Sequence, residues 1–114
     1  MSYMFYLCSK LDNLDLSSFN TNNIKNMSYS FYSCSGLTSL NISNFNTKNV
    51  EDMDFTFANC YKVISLDLSK IITSNVKTMK GMFYGLRSLT KLDISNFIHL
   101  KLKICHFYSL VVLL

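Results

Sequence analysis

Apolar residues recur along this chain with a long period. Sliding the sequence against itself by 26 positions brings "MSYMFYLC" at 1–8 onto "MSYSFYSC" at 27–34, and nearly every later hydrophobic position follows. Met1, Met27, Met53 and Met79 share one phase, and Phe5, Phe31, Phe57 and Phe83 another. Further columns are Leu11/Leu37/Val63/Leu89, Leu14/Leu40/Leu66/Leu92 and Leu16/Ile42/Leu68/Ile94, then Phe19/Phe45/Ile71/Phe97 and Ile24/Val50/Val76/Leu102. Copies at 1–26, 27–52, 53–78 and 79–104, with no insertion between them, are the signature of a stacked repeat architecture.

Two local periods alternate inside each copy. In "LDNLDLS", "LTSLNIS", "VISLDLS" and "LTKLDIS" the last two apolar residues alternate with a polar one, which predicts a short strand with one buried face. Earlier in the copy, Met27, Phe31 and Cys34 are spaced by four and three, which predicts one face of a short helical turn. The expected fold is therefore α/β: a solenoid of about four repeats, with a short parallel sheet on one side and helical turns on the other. A lone copy cannot bury enough apolar surface to offset the ordering of its backbone, so neighbouring copies must cover one another.

"LDNLDLSSFNTNNIKNMSYSFYSC" at 11–34 and "LTSLNISNFNTKNVEDM" at 37–53 resemble the BspA-type leucine-rich repeat, the 26-residue repeat of bacterial surface proteins. The resemblance covers residues 1 to about 97. It implies a right-handed leucine-rich solenoid on the surface of bacteria or protozoan parasites, engaged in adhesion to a host or neighbouring surface protein. Two departures stand out. No secretory leader is visible, so the chain as written would be cytoplasmic. After Phe97 the pattern gives way to "IHLKLKICHFYSLVVLL", which makes 98–114 a divergent apolar tail. A slip of reading frame would account for it: suitable A/T-rich codons read one frame away restore the repeat. On this reading the chain is a fragment of an adhesin-like protein, or alternatively a truncated or recombining gene piece with no independent function.

Composition changes this picture little. The chain has 114 residues, enough for one small domain, and 49% of them are hydrophobic, which suits a packed core. Proline is absent and glycine occurs three times, so asparagine and serine must make most of the turns. The net charge of +4 comes from Lys80, Arg87, Lys91, Lys101 and Lys103 against Asp93, while residues 1–78 balance. A nucleic-acid surface should be basic along its length, so nucleic acid is not an expected partner. The apolar tail, "FYSLVVLL", is too short to span a bilayer, which needs about 20 residues.

The candidate chemistry lies in columns. Asp15, Asn41, Asp67 and Asp93 fall between inward strand residues and should form an outward row, a candidate contact face. Asn41 interrupts it as a cation site, and a solvated face is the plainer reading. Tyr6, Tyr32 and Tyr84 share a column with Ala58, and Tyr3 and Tyr29 share one with Phe55; tyrosine suits a protein interface, as well as ordinary stacking between repeats. Asn23, Asn49 and Asn75, two residues after Thr21, Thr47 and Thr73, are expected to form a buried hydrogen-bond ladder at a corner. His99 and Lys101 break that ladder in the last copy, which predicts a loose corner there. Cys8, Cys34 and Cys60 share a column with Leu86, so buried packing is favoured over a disulfide or metal ladder. Cys105 gives no signal. The histidines, His99 and His106, lie in the tail, and no nucleophile–base set or glycine-rich phosphate loop can be assembled. The sequence thus points to a non-catalytic module without metal or cofactor, whose uncapped ends predict self-association.

Overall fold

The structure, a computed structural model, describes residues 1–98. Successive copies stack as coils. Ser65, Leu66 and Asp67 pair in parallel with Lys91, Leu92 and Asp93, each with the residue one copy further on. Isolated bridges Asn26–Asp52, Ser39–Ser65 and Asp52–Thr78 keep the same offset. The phenylalanine column is continuous: ring centroids of Phe5 and Phe31 lie 5.5 Å apart, those of Phe31 and Phe57 5.7 Å, and those of Phe57 and Phe83 6.4 Å, all stacked. Met27, Phe31, Cys34, Leu37 and Ile42 and their counterparts in the next two copies fill one core. In the first coil Met1, Phe5, Cys8, Leu11 and Leu14 are only partly covered.

The expected α/β class is wrong in this chain. Among the described residues there is no helix, and the strands are β1 (Ser65–Asp67) and β2 (Lys91–Asp93). The wall assigned to helical turns is a run of β-turns. Amide hydrogens of Tyr29, Phe31 and Ser33 cross to the next coil, donating to the carbonyls of Asp54, Thr56 and Ala58 at 2.9, 3.0 and 2.8 Å. Those of Ser30, Tyr32 and Cys34 turn back three residues, to Met27, Tyr29 and Phe31. A helix sends every amide four residues back. Here half of them leave the coil altogether.

Backbone conformation enforces the difference. Tyr29 and Ser33 both sit at φ 57°, as do Tyr3 (59°) and Leu7 (58°), Phe55 (51°) and Asn59 (61°), and Gly81 (60°) and Gly85 (72°) in their own copies. A left-handed residue at every fourth position is incompatible with a right-handed helix. The spacing of four and three that suggested a helix is the spacing of these turns.

The parallel sheet expected across all copies is also reduced. Its two strands have three residues each, and in the first two coils the only trace is the Ser39 bridge. Ladder bonds on this wall are sparse: Ile64 N–H donates to Thr38 at 3.2 Å and Thr90 N–H to Ile64 at 2.8 Å. The expectations placed on 99–114, including the loose corner at His99 and Lys101, the role of Cys105 and the frame slip, lie outside the described residues.

Candidate binding face

Each coil bends after its strand segment at one acidic or amide residue. The Oδ1 atoms of Asp15, Asn41, Asp67 and Asp93 accept the amide hydrogens of Ser17, Ser43, Ser69 and Ser95 at 2.9, 3.0, 2.9 and 3.0 Å. Such a bond mimics a backbone turn and suits short polar side chains. It explains why asparagine can replace aspartate in this column: the turn uses one acceptor oxygen, which both residues supply. All four side chains are exposed, so the row does face outward. The bond from Ser17 holds the carboxyl of Asp15 below its ordinary range, and bonds from Ser69 do the same for Asp67, so both are ionised at neutral pH.

Lys91 changes the face at its far end. Ser65, Leu66, Asp67, Lys91 and Asp93 line a groove along the paired strands. Sequence reasoning picked out the aspartates but missed Ser65 and Lys91. The usable signal was the alternation itself, which places residues two before each aspartate on the same outward face.

The tyrosine columns divide. Tyr3, Tyr29 and Phe55 stack with centroids 5.0 and 5.1 Å apart, and Tyr6 stacks on Tyr32 at 5.2 Å. Tyr84 does not join them, because Ala58 stands between it and Tyr32 in the column. Within the stack, ring faces are taken up by neighbouring rings and only edges remain. Tyr3 and Tyr6, 54% and 40% exposed, form the open end beside Met4 and Leu7. In that first coil no described residue donates to the carbonyls of Ser2 and Met4, the counterparts of Ser28 and Ser30, which accept from Tyr3 and Phe5.

The cysteine column lies inside. Cys34 and Cys60 are buried free thiols, each donating to a carbonyl of the preceding coil, Phe5 and Phe31 respectively, at 3.0 Å. Burial pushes Cys34 up to about 11 and Cys60 up to about 12, so neither is a reactive thiolate at neutral pH. Cys8 is free and half-buried.

The corner ladder is built differently from expectation. Asn23, Asn49 and Asn75 are exposed, not buried; the latter two donate from Nδ2 to the carbonyls of Asn22 (3.1 Å) and Lys48 (2.6 Å) in the coil before. The buried members are Thr21, Thr47 and Thr73. Their hydroxyls accept the amide hydrogens of Asn46, Ile72 and Ile98, and Thr47 also donates to the Ile72 carbonyl at 3.0 Å. A hydroxyl can give and take in so small a space, which the bulkier amide cannot do without room. Among the described residues, no group of three or more His, Cys, Asp or Glu is placed to hold a metal, and no helix is long and apolar enough to cross a membrane.

Neither a curated protein nor a solved structure matches this chain. One family does match, over residues 1–105, which take in every coil described above. The chain belongs to the DUF285 family, described as a Mycoplasma protein of unknown function.

Proposed function

We propose that the chain is a non-catalytic protein-binding module of a cell-surface protein, with the row Asp15, Asn41, Asp67 and Asp93 as its contact face. The observation that carries this reading is the turn bond made by each member of the row. It uses one oxygen and immobilises the side chain, leaving the other oxygen or nitrogen exposed at intervals of one coil. Side chains already fixed before binding lose little entropy on contact, so a repeated, rigid row favours a partner with matching polar groups. The resemblance of residues 1–97 to surface-adhesion repeats supports the same reading. The partner is a protein carrying basic or amide side chains at a similar spacing, of the host or of a neighbouring surface.

The test replaces Asp15, Asp67 and Asp93 by asparagine together, which keeps each turn and removes the charge. Capture of surface proteins by the immobilised chain should fall with this variant; unchanged capture would remove the row as the contact face. The location is tested by protease shaving of intact cells, which should release fragments of this chain.

A further inference from the structure

The chain contains two Asn-X-Ser triplets, Asn26-Met27-Ser28 and Asn41-Ile42-Ser43, the acceptor pattern for N-linked glycosylation. The coil stack treats them in opposite ways. Asn26 is half-buried: its Nδ2 donates to Asp52 Oδ2 at 3.1 Å, and its Oδ1 accepts both the amide hydrogen and the hydroxyl of Ser28, at 2.8 and 2.7 Å. Ser28 is itself buried, and Met27 beneath it is 1% exposed. A sugar on this nitrogen would break the bond to Asp52 and have to enter the seam between coils.

Asn41 is exposed, as is Ser43. Its Oδ1 makes the turn bond with Ser43, and no described residue accepts from its Nδ2. The three other members of its column are aspartates making the same bond, so the fold needs only the oxygen here. The amide nitrogen is surplus to the turn. It projects from a coil edge with solvent around it.

From this contrast we infer that Asn41 is an N-glycosylation acceptor and that Asn26 is silent in the folded chain. The co-substrate is a lipid-pyrophosphate-linked oligosaccharide brought by an oligosaccharyltransferase. The Asn41 Nδ2–C1 bond forms, the bond from C1 to the pyrophosphate oxygen breaks, the lipid pyrophosphate departs, and an amide proton passes to a base of the transferase. No oxidant or reductant is required. The glycan would stand in the middle of the row Asp15, Asn41, Asp67 and Asp93, and so would screen the proposed contact face from a protein partner.

The experiment incubates the purified, folded full chain with a single-subunit oligosaccharyltransferase and a lipid-linked oligosaccharide, and reads intact mass and glycopeptides. Synthetic peptides spanning 22–32 and 37–47 serve as unfolded acceptors. The folded chain should gain one glycan, at Asn41, while both peptides are modified. Asn41→Asp should abolish the gain on the folded chain with its thermal transition unchanged, and Asn26→Gln should leave the gain intact. A folded chain modified at Asn26, or left unmodified at Asn41, would overturn the inference. The clause that the glycan screens a contact face rests on the proposed function. Transfer in vitro does not depend on where cells place the chain, so this test can fail or succeed independently of the shaving and capture experiments.

Discussion

The two walls of each coil hold neighbouring copies together by different means. On the turn wall, over 27–34, alternate amides cross to the next coil and the phenylalanines stack without interruption from Phe5 to Phe83. On the strand wall, regular pairing among the described residues is confined to Ser65–Asp67 and Lys91–Asp93, and the exposed side of the wall is given to turn-locked polar residues. Cohesion is concentrated on the first wall. The second is left free to carry a surface. The comparison teaches that a repeat can place its strongest backbone ladder in a segment with no regular secondary structure, provided alternate amides leave the coil.

The largest expected effect is on the turn wall. Phe57 is 2% exposed and stacked on both sides, so Phe57→Ala should cost about 3–5 kcal/mol in urea unfolding. Leu92 on the strand wall is only partly buried, so Leu92→Ala should cost less, about 1–2 kcal/mol. Equal losses would erase the distinction between the walls.

Alkali should act on the turn wall next. Cys34 and Cys60 are raised in the folded chain to about 11 and about 12 from a reference of 9.0. The unfolded chain therefore loses these protons first. Stability is fully present below about pH 9 and falls as pH rises toward the folded values, by roughly 2 kcal/mol per thiol near pH 11. Cys60→Ala should flatten the alkaline fall in melting temperature between these limits relative to the parent, and an unaltered slope would contradict the burial of that thiol.

Gly81 gives a test of sign. It lies at φ 60°, and a Cβ there would run into the Phe55 ring. Gly81→Ala should destabilise the chain by about 1–2 kcal/mol. In a helix the same change would stabilise by about 1 kcal/mol. Thermal melts of this one variant separate the two kinds of wall.

Effects on the strand wall should be smaller. Asp67→Asn keeps the acceptor for Ser69 and should leave the melting temperature unchanged, whereas Asp67→Ala loses it and should lower the melting temperature slightly. The depressed carboxyls of Asp15 and Asp67 favour the fold above their unfolded values, and that small contribution is lost as pH falls below about 4. Least of all, Lys77→Ala removes the ion pair with Glu51 at 2.6 Å, whose partners are 73% and 45% exposed, and the chemical-denaturation midpoint should not move.

Much of the fold was legible in the columns. The residues at Met27, Phe31, Cys34, Leu37 and Leu40 are buried where the 26-residue phase places them, and Leu66 pairs with Leu92. The turn wall was misread because helices and consecutive β-turns both bring residues four and three apart to one side. Its marker is positive φ, and in three copies that conformation is held mostly by Tyr, Leu, Ser and Phe, which carry no such signal; Asn59 tolerates it, but asparagine stands at many other turns of this chain and does not single this one out. Gly81 and Gly85 were the readable exception: two glycines four apart, in the columns of Tyr29 and Ser33, argue against a helix. The outward row was legible from alternation, while its turn-making role was not, because it depends on a bond to the backbone two residues on. Thr21, Thr47 and Thr73 were passed over as the buried ladder for a related reason: their burial depends on the tightness of the corner, which pattern alone does not convey.

The most direct test of coil stacking is the measurement of scalar couplings across hydrogen bonds by NMR. The amide nitrogens of Phe31 and Phe57 should couple to the carbonyl carbons of Thr56 and Met82, one coil further along. Couplings instead to Met27 and Met53, four residues back, would mean a helical wall and would contradict the account.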